Sequence, residues 1–176
     1  MLCQCVYRVE GVEIVNNQSN WPVDLMEKIV TRNEDKLFRT ALAITGNKAE
    51  SEDIVQDAFV KLFEKNPNFE TDEHETAWLI RVTVNLSKNR LRSGWWKKII
   101  PLLDSYPAEN QEEYNLIESV LALPSKYRAV IHLHYYEGYS TKEVAGITEQ
   151  KESTIRQQLT RARRMLKDSL KLEGEY

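Results

Sequence analysis

From Asp24 onward the apolar residues of this chain recur at helical intervals, and a helix-breaking residue cuts off each run. Leu25, Ile29 and Val30 open one face, and Leu37, Phe38, Ala41, Leu42 and Thr45 extend it to Gly46. Asn47 stands three residues before Glu50, a capping-box variant that starts a second helix over Ile54, Val55, Ala58, Phe59, Leu62 and Phe63. Pro67 closes that helix. After the polar loop NPNFETDEHE, Asp72 and Glu75 can cap a third, from about Thr76 to Arg92, ended by Gly94. Trp95 to Glu113 holds two prolines and no sustained period, and so reads as a linker. Spacing resumes at Leu116, Ile117, Val120 and Leu121 and breaks at Pro124. A helix from Ser125 buries Tyr127, Val130, Ile131 and either His134 or Tyr135, and stops at Gly138. Ser140 with Glu143 forms a full capping box for a very short helix, Thr141 to Ile147. The last helix begins near Lys151 and buries Ile155, Leu159, Ala162 and Leu166.

The expected fold is therefore all-α: two small helical domains, 24–94 and 114–176, joined by a linker at 95–113. Residues 1–23 read as a poorly ordered extension. Their weak alternation (Val6, Val9, Val12, Ile14) leaves room for a short strand at most. No run approaches the ~18 apolar residues of a membrane span, and the start lacks a signal-peptide layout, so the expected location is cytoplasmic. Cys3 and Cys5 have no His or further Cys nearby to complete a metal site. His74-Glu75 lacks a second His, and His132 and His134, two apart on a helix, make a poor metal pair. No phosphate-cradling glycine loop is present. Neither catalysis, a cofactor nor a metal is expected.

Charge is distributed unevenly. The chain is acidic overall, with net charge −3. Yet STIRQQLTRARRMLKDSLK, Ser153 to Lys171, sets Arg156, Arg161, Arg163, Arg164, Lys167 and Lys171 against the single acid Asp168. A short capped helix, a tight turn and a longer basic helix form a helix-turn-helix pattern. Val144, Ala145 and Ile147 would face Ile155 and Leu159. The opposite face offers Lys151, Ser153, Thr154, Arg156, Gln157, Thr160 and Arg161, of which Arg and Gln suit base edges in a major groove. Glu149-Gln150 occupies the turn, where a glycine would be more comfortable. A second basic stretch, Thr76 to Lys98, carries Arg81, Lys88, Arg90, Arg92, Lys97 and Lys98 with no Asp or Glu of its own to neutralise them. Trp78, Arg81, Asn85, Lys88 and Arg92 share a face suited to unstacked bases and phosphates. Burial of Trp78 in the core is the competing reading. The helix between Lys48 and Lys65 is acidic through Glu50, Glu52, Asp53, Asp57 and Glu64. Such a face repels DNA and suits a basic protein partner.

Three blocks resemble bacterial sigma factors of the extracytoplasmic-function (ECF) group of the sigma-70 family. LFRTALAITGNKAESEDIVQDAFVKLFEK is similar to the polymerase-binding block. TAWLIRVTVNLSKNRLR is similar to the promoter-melting, −10-reading helix. LPSKYRAVIHLHYYEGYSTKEVAGITEQKESTIRQQLTRARRMLK is similar to the −35-reading domain. The resemblance implies a sigma-2-like domain at 24–94 and a sigma-4-like domain at 114–176. Its partners would be core RNA polymerase (β′ clamp and β flap), promoter DNA and an anti-sigma factor that holds it until a stress signal. By motif match, Asp53, Gln56, Asp57 and Phe59 fall on the polymerase-binding helix. Asn85, Lys88 and Asn89 fall where the −10 strand is read, helped by the loop from Phe69 to His74, and Trp78, Arg81 and Arg92 join them on the shared face. Lys151, Ser153, Thr154, Arg156, Gln157 and Arg161 fall on the −35 surface. The family often carries Asp where Asn89 stands. The Trp95–Trp96 and Ile99–Ile100 pairs make this linker unusually apolar. Weak promoter binding without polymerase is expected. The alternative is a stand-alone helix-turn-helix regulator that binds duplex DNA, which would have no need of a basic second helix.

Overall fold

Proline and glycine set the first helix at both ends. In the computed structural model, which describes residues 5–9, 12–16, 21–92 and 111–173, α1 (Val23–Thr45) follows Pro22 and ends where Gly46 turns left-handed at φ 69°. α2 (Lys48–Lys65) starts at Asn47, whose side chain accepts the Glu50 N–H at 3.1 Å. Asn66, left-handed at φ 44°, ends it one residue before Pro67. α3 (Asp72–Arg92) starts earlier than the apolar spacing indicates. Its cap is Thr71, whose hydroxyl accepts the His74 N–H at 3.2 Å, not Asp72 with Glu75. Asp72 and Glu75 are instead both ion-paired to Arg32 of α1. Glu75 is buried and also accepts from Asn33, which in turn accepts from the Thr76 hydroxyl at 2.7 Å. This polar knot fixes the start of α3 against α1. Leu37, Phe59, Leu62, Leu79, Ile80 and Val84 fill the space between the three helices.

Two strands precede α1. β1 (Cys5–Val9) pairs antiparallel with β2 (Val12–Asn16), with Val6 opposite Val15 and Tyr7 opposite Ile14. The weak alternation thus corresponds to a hairpin, not to a single short strand. Its second strand packs against α2. The remaining described residues with regular structure are helical. The Trp95–Trp96 and Ile99–Ile100 pairs, and Lys97 and Lys98, lie outside the described residues.

The second unit opens at Gln111 with α4 (Gln111–Ala122), inside the stretch assigned to the linker. α5 (Ser125–Ile131) follows Pro124 and then widens into a π-helical turn, His132–Tyr136, in which the Glu137 N–H reaches back to the His132 carbonyl. The widened turn shifts the buried phase. His132 and Leu133 are buried, His134 is half-buried, and Tyr135 is exposed. An uninterrupted α-helix would have buried His134 or Tyr135. α6 (Thr141–Thr148) has both arms of its capping box formed between Ser140 and Glu143. α7 (Glu152–Glu173) lies across α4, α5 and α6. Val144, Ala145 and Ile147 meet Ile155, Leu159 and Ala162 in its core, as the spacing implies.

The two units share a seam, with α5 on α1 and α6 on α3. The last turn of α1 is buried all round and carries no basic residue of its own. A helix leaves its final carbonyls without partners and favours a cation there. Arg128 supplies that cation from α5. It donates to the carbonyls of Ala43 at 2.8 Å and Ile44 at 2.6 Å, and to Leu121 and Leu123 at 2.7 and 3.1 Å. Beside it, the Glu137 carboxylate lies 3.3 Å from Lys36, 3.9 Å from Arg39 and 3.4 Å from His132. His132 also approaches the Thr40 hydroxyl at 3.3 Å.

Arg128→Met should lower the urea midpoint by the equivalent of about 2–4 kcal/mol, because several buried carbonyls lose their donor at once. Burial alone would push the Glu137 carboxyl up, but His132 and Lys36 outweigh it and hold it below its ordinary 4.5. A carboxylate lowered on folding contributes its full stability above the ordinary value and loses it as pH falls through the lower folded one. The thermal advantage of the wild type over Glu137→Gln, read by circular dichroism, should therefore be full at about pH 6 and fade towards about pH 3.

Candidate nucleic-acid interface

The turn before α7 decides where its side chains point. Glu149 closes α6 in the left-handed region at φ 56°, its N–H bonded to the Ala145 carbonyl. A non-glycine residue tolerates this at a cost of roughly 1 kcal/mol. Three bonds brace the turn. The Gln150 N–H donates to Ala145, the Gln158 amide donates to Gln150 at 2.8 Å, and the Thr141 hydroxyl donates to Glu152 at 2.7 Å. The helix-turn-helix geometry that Glu149-Gln150 placed in question is thus formed without glycine.

α7 then presents Lys151, Ser153, Arg156, Gln157, Thr160 and Arg161 to solvent, with Thr154 half-buried. Lys151 precedes the helix, and its carbonyl accepts the first N–H bonds of α7. Arg156 folds back on Glu152 at 2.7 Å. Thr141 and then Arg156 hold that carboxyl below its ordinary value. The pair is exposed, so Arg156 can leave it for a stronger acceptor at little cost. Arg164 pairs only loosely with Asp168, at 3.9 Å.

On α3 the expected face is assembled in part. Arg81, Asn89 and Arg92 are exposed, and Asn85 and Lys88 are half-buried. Trp78 is half-buried too. It meets the edge of Phe69, which meets His74, so Trp78 is neither a core residue nor a free platform. Arg90 departs from the expected pattern. It lies 3.2 Å from the buried Glu50 and 3.6 Å from Asp57, so acids of α2 do neutralise one basic residue of α3. The Lys88 ammonium donates to the Thr148 carbonyl at 3.3 Å, across the seam. Burial lowers its pKa, and Glu149 opposes that shift.

α2 exposes Asp53 and Asp57 with Gln56 half-buried between them. Phe59, expected on the same surface, is 1% exposed and stacks on Phe63 in the core. It shapes the helix from inside and offers a partner nothing. Sequence reading missed the seam itself: Lys36, Arg39, Arg128, His132 and Glu137. The available signal was Arg128, a charge lodged between Tyr127 and the apolar run Ala129–Ile131.

Comparison with known proteins bears on both units. The Sigma-70 region 2 family matches residues 29–97, and the Sigma-70, region 4 family matches residues 114–166. The first match leaves a stand-alone regulator without support, since that half is not a sensing domain. The ECF RNA polymerase sigma factor SigL of Mycobacterium tuberculosis is 30% identical over 162 residues, covering 85% of this chain and 91% of the relative. SigW of Bacillus subtilis is 28% identical over 171 residues, covering 84% of this chain and 90% of the relative. The chain spans less of some other relatives, 61% of SigE of Mycolicibacterium smegmatis and 40% of the probable sigma factor RfaY of Xanthomonas campestris. In fold, it is similar to RpoE of Bartonella quintana, solved with the anti-sigma factor NepR: TM-score 0.70, 22% identity, 85% of this chain and 98% of that one. Two helical units carrying these two regions in order, on a relative matched along nearly its whole length, place the chain in the ECF RNA polymerase sigma factor family.

Proposed function

We propose that the protein is the promoter-specificity subunit of an RNA polymerase, directing core enzyme to particular promoters and assisting melting at the −10 element. One observation carries this reading: basic faces on two separate helical units, exposed on α7 and partly exposed on α3, beside an acidic exposed face on α2. In this reading Asp53, Gln56 and Asp57 meet the polymerase clamp. Arg90 pairs with Glu50 and Asp57, which ties the polymerase helix to the DNA helix. Trp78, Arg81, Asn85, Lys88, Asn89 and Arg92 engage the −10 strand, with the Phe69–His74 loop beside them. Arg156 and Gln157, at the start of α7, read bases of the −35 element, and Lys151, Ser153, Thr154 and Arg161 flank them. Region 4 also meets the β flap. An anti-sigma factor covering these surfaces until a stress signal completes the proposal. It is supported by the family and by the similar fold of a protein solved with such an inhibitor. No catalytic step is assigned to the chain, and its proposed location is the cytoplasm with the polymerase. Among the described residues no helix is long and apolar enough to cross a membrane.

Run-off transcription with core polymerase on fragments of the native genome tests the proposal. Promoter-dependent transcripts that require this chain are expected, and their absence across the genome would overturn it. On a promoter found in that way, Arg156→Ala or Gln157→Ala should cut transcription roughly 5- to 150-fold, the equivalent of about 1–3 kcal/mol for a lost base contact. Arg164→Ala should instead weaken all promoters alike and lower the salt slope of binding by about 0.9.

A further inference from the structure

A surface ion pair within one helix ordinarily fixes little. The pair at the start of α7 is different, because a second helix holds it. Glu152 is the first residue of α7 and Thr141 the first of α6. The Thr141 hydroxyl crosses between the helices and donates to Glu152 Oε1 at 2.7 Å. Arg156 donates to the same oxygen through Nη2 at 2.7 Å and Nε at 3.2 Å. Thr141 and Glu152 are half-buried, while Arg156 is exposed. The carboxylate is thereby held in one orientation. Its charge is favoured there, since the Thr141 bond and then Arg156 keep it below its ordinary pKa, with a weaker attraction from Lys142. The Arg164–Asp168 pair has the same spacing on the same helix, but it stands at 3.9 Å and, among the described residues, takes no bond from another helix.

The atoms that this chain of bonds leaves unused face the groove side. A guanidinium carries five N–H donors arranged as forks. Glu152 takes the fork formed by Nε and Nη2. The other fork, Nη1 with the second N–H of Nη2, makes no bond among the described residues, and the side chain that carries it is exposed. A fork of this kind matches O6 and N7 of guanine. Arg156 can leave Glu152 cheaply, yet it can engage a guanine without leaving. A long side chain ordered before binding has less freedom to lose on the DNA. Oε2 of Glu152 also has no donor among the described residues. Its only matches on base edges in a major groove are the amino groups of cytosine and adenine.

We propose that Glu152, anchored by Thr141, is a specificity-determining positioning residue: it presents Arg156 to one guanine of the DNA site, and its free Oε2 accepts from an amino group on the adjoining base. This rests on α7 being the helix that reads duplex DNA, as argued above, but not on polymerase. Thr141 stands outside α7, so base preference depends on a residue of the supporting helix. The carboxylate also discriminates by repulsion, since a base acceptor or a phosphate set against Oε2 is disfavoured.

The test uses the full chain without polymerase, selecting from a randomised duplex library at low salt, where weak DNA binding is strengthened. The wild type should enrich guanine at one position and cytosine or adenine at the neighbouring position of a fixed strand. Glu152→Asp keeps a carboxylate at the helix start but is too short to meet Thr141 and Arg156 together. It should lower the guanine preference roughly 2- to 12-fold, the equivalent of about 0.5–1.5 kcal/mol for ordering one long side chain, and flatten the neighbouring position. Thr141→Val should lower the guanine preference by a smaller factor. In an Arg156→Ala background, Glu152→Asp should change the guanine position no further, because it acts through Arg156. Nitrogen-15 relaxation of the free chain is the second readout: Arg156 Nε should be restrained in the wild type and mobile in both single variants, with circular dichroism confirming that they fold. A guanine preference untouched by Glu152→Asp overturns the proposal. So does a loss spread evenly over all positions, which marks a helix-end charge and no more, or a wild type that prefers no guanine. Promoter-dependent transcription by a chain whose preferences ignore Glu152→Asp sinks this proposal alone. Preferences that follow the variants, in a chain that never supports transcription, sink the proposed function alone.

Discussion

The arrangement of the whole chain turns on one guanidinium. The end of α1 is buried, so its last carbonyls need partners from the protein itself. Left alone they would be a heavy penalty. Arg128 removes it by donating to Ala43 and Ile44 while also gathering the carbonyls of Leu121 and Leu123. One side chain therefore closes the first unit, shapes the α4–α5 corner and ties the two together. The charge is tolerated in a buried place because it faces the negative end of a helix and finds several acceptors.

Around that point the seam combines unlike materials. The apolar cluster runs without a break from Leu37 and Ile44 in the first unit to Val130 and Leu133 in the second. Polar contacts ring it: Lys36, Arg39 and Glu137 on one flank, Lys88 and Thr148 on the other. An apolar centre with a charged rim is the build of an interface that can part and re-form. The π-helical turn serves this build. By adding one residue to the winding, it brings His132 and Leu133 inward and sets Glu137 opposite α1.

Much of this was legible in the sequence because it is local. Apolar period, Gly46, Asn47, Pro124 and the Ser140–Glu143 box mark elements through chain-neighbour physics, and the helices stand close to where those signals put them. The exposed face of α7 follows from the same period. What was not legible depends on partners far along the chain. Glu75 and Asp72 look like capping acids until Arg32, some forty residues earlier, takes them. Arg90 looks like a cation with nothing nearby to neutralise it until Glu50 and Asp57 claim it. Phe59 sits in a surface motif but points to the core, since a helix interleaves both roles residue by residue. The π-turn has no local signature, so the phase after Ile131 could not be read.

α6 is only eight residues long, yet both its sides are occupied. One side supports α7 through Val144, Ala145 and Ile147, and the other lies on α3. A substitution there alters two things at once, the tilt of α7 and the fit of α6 over α3. Sequence drift in α6 is thus constrained from two sides, whereas drift on the outer face of α7 meets only solvent.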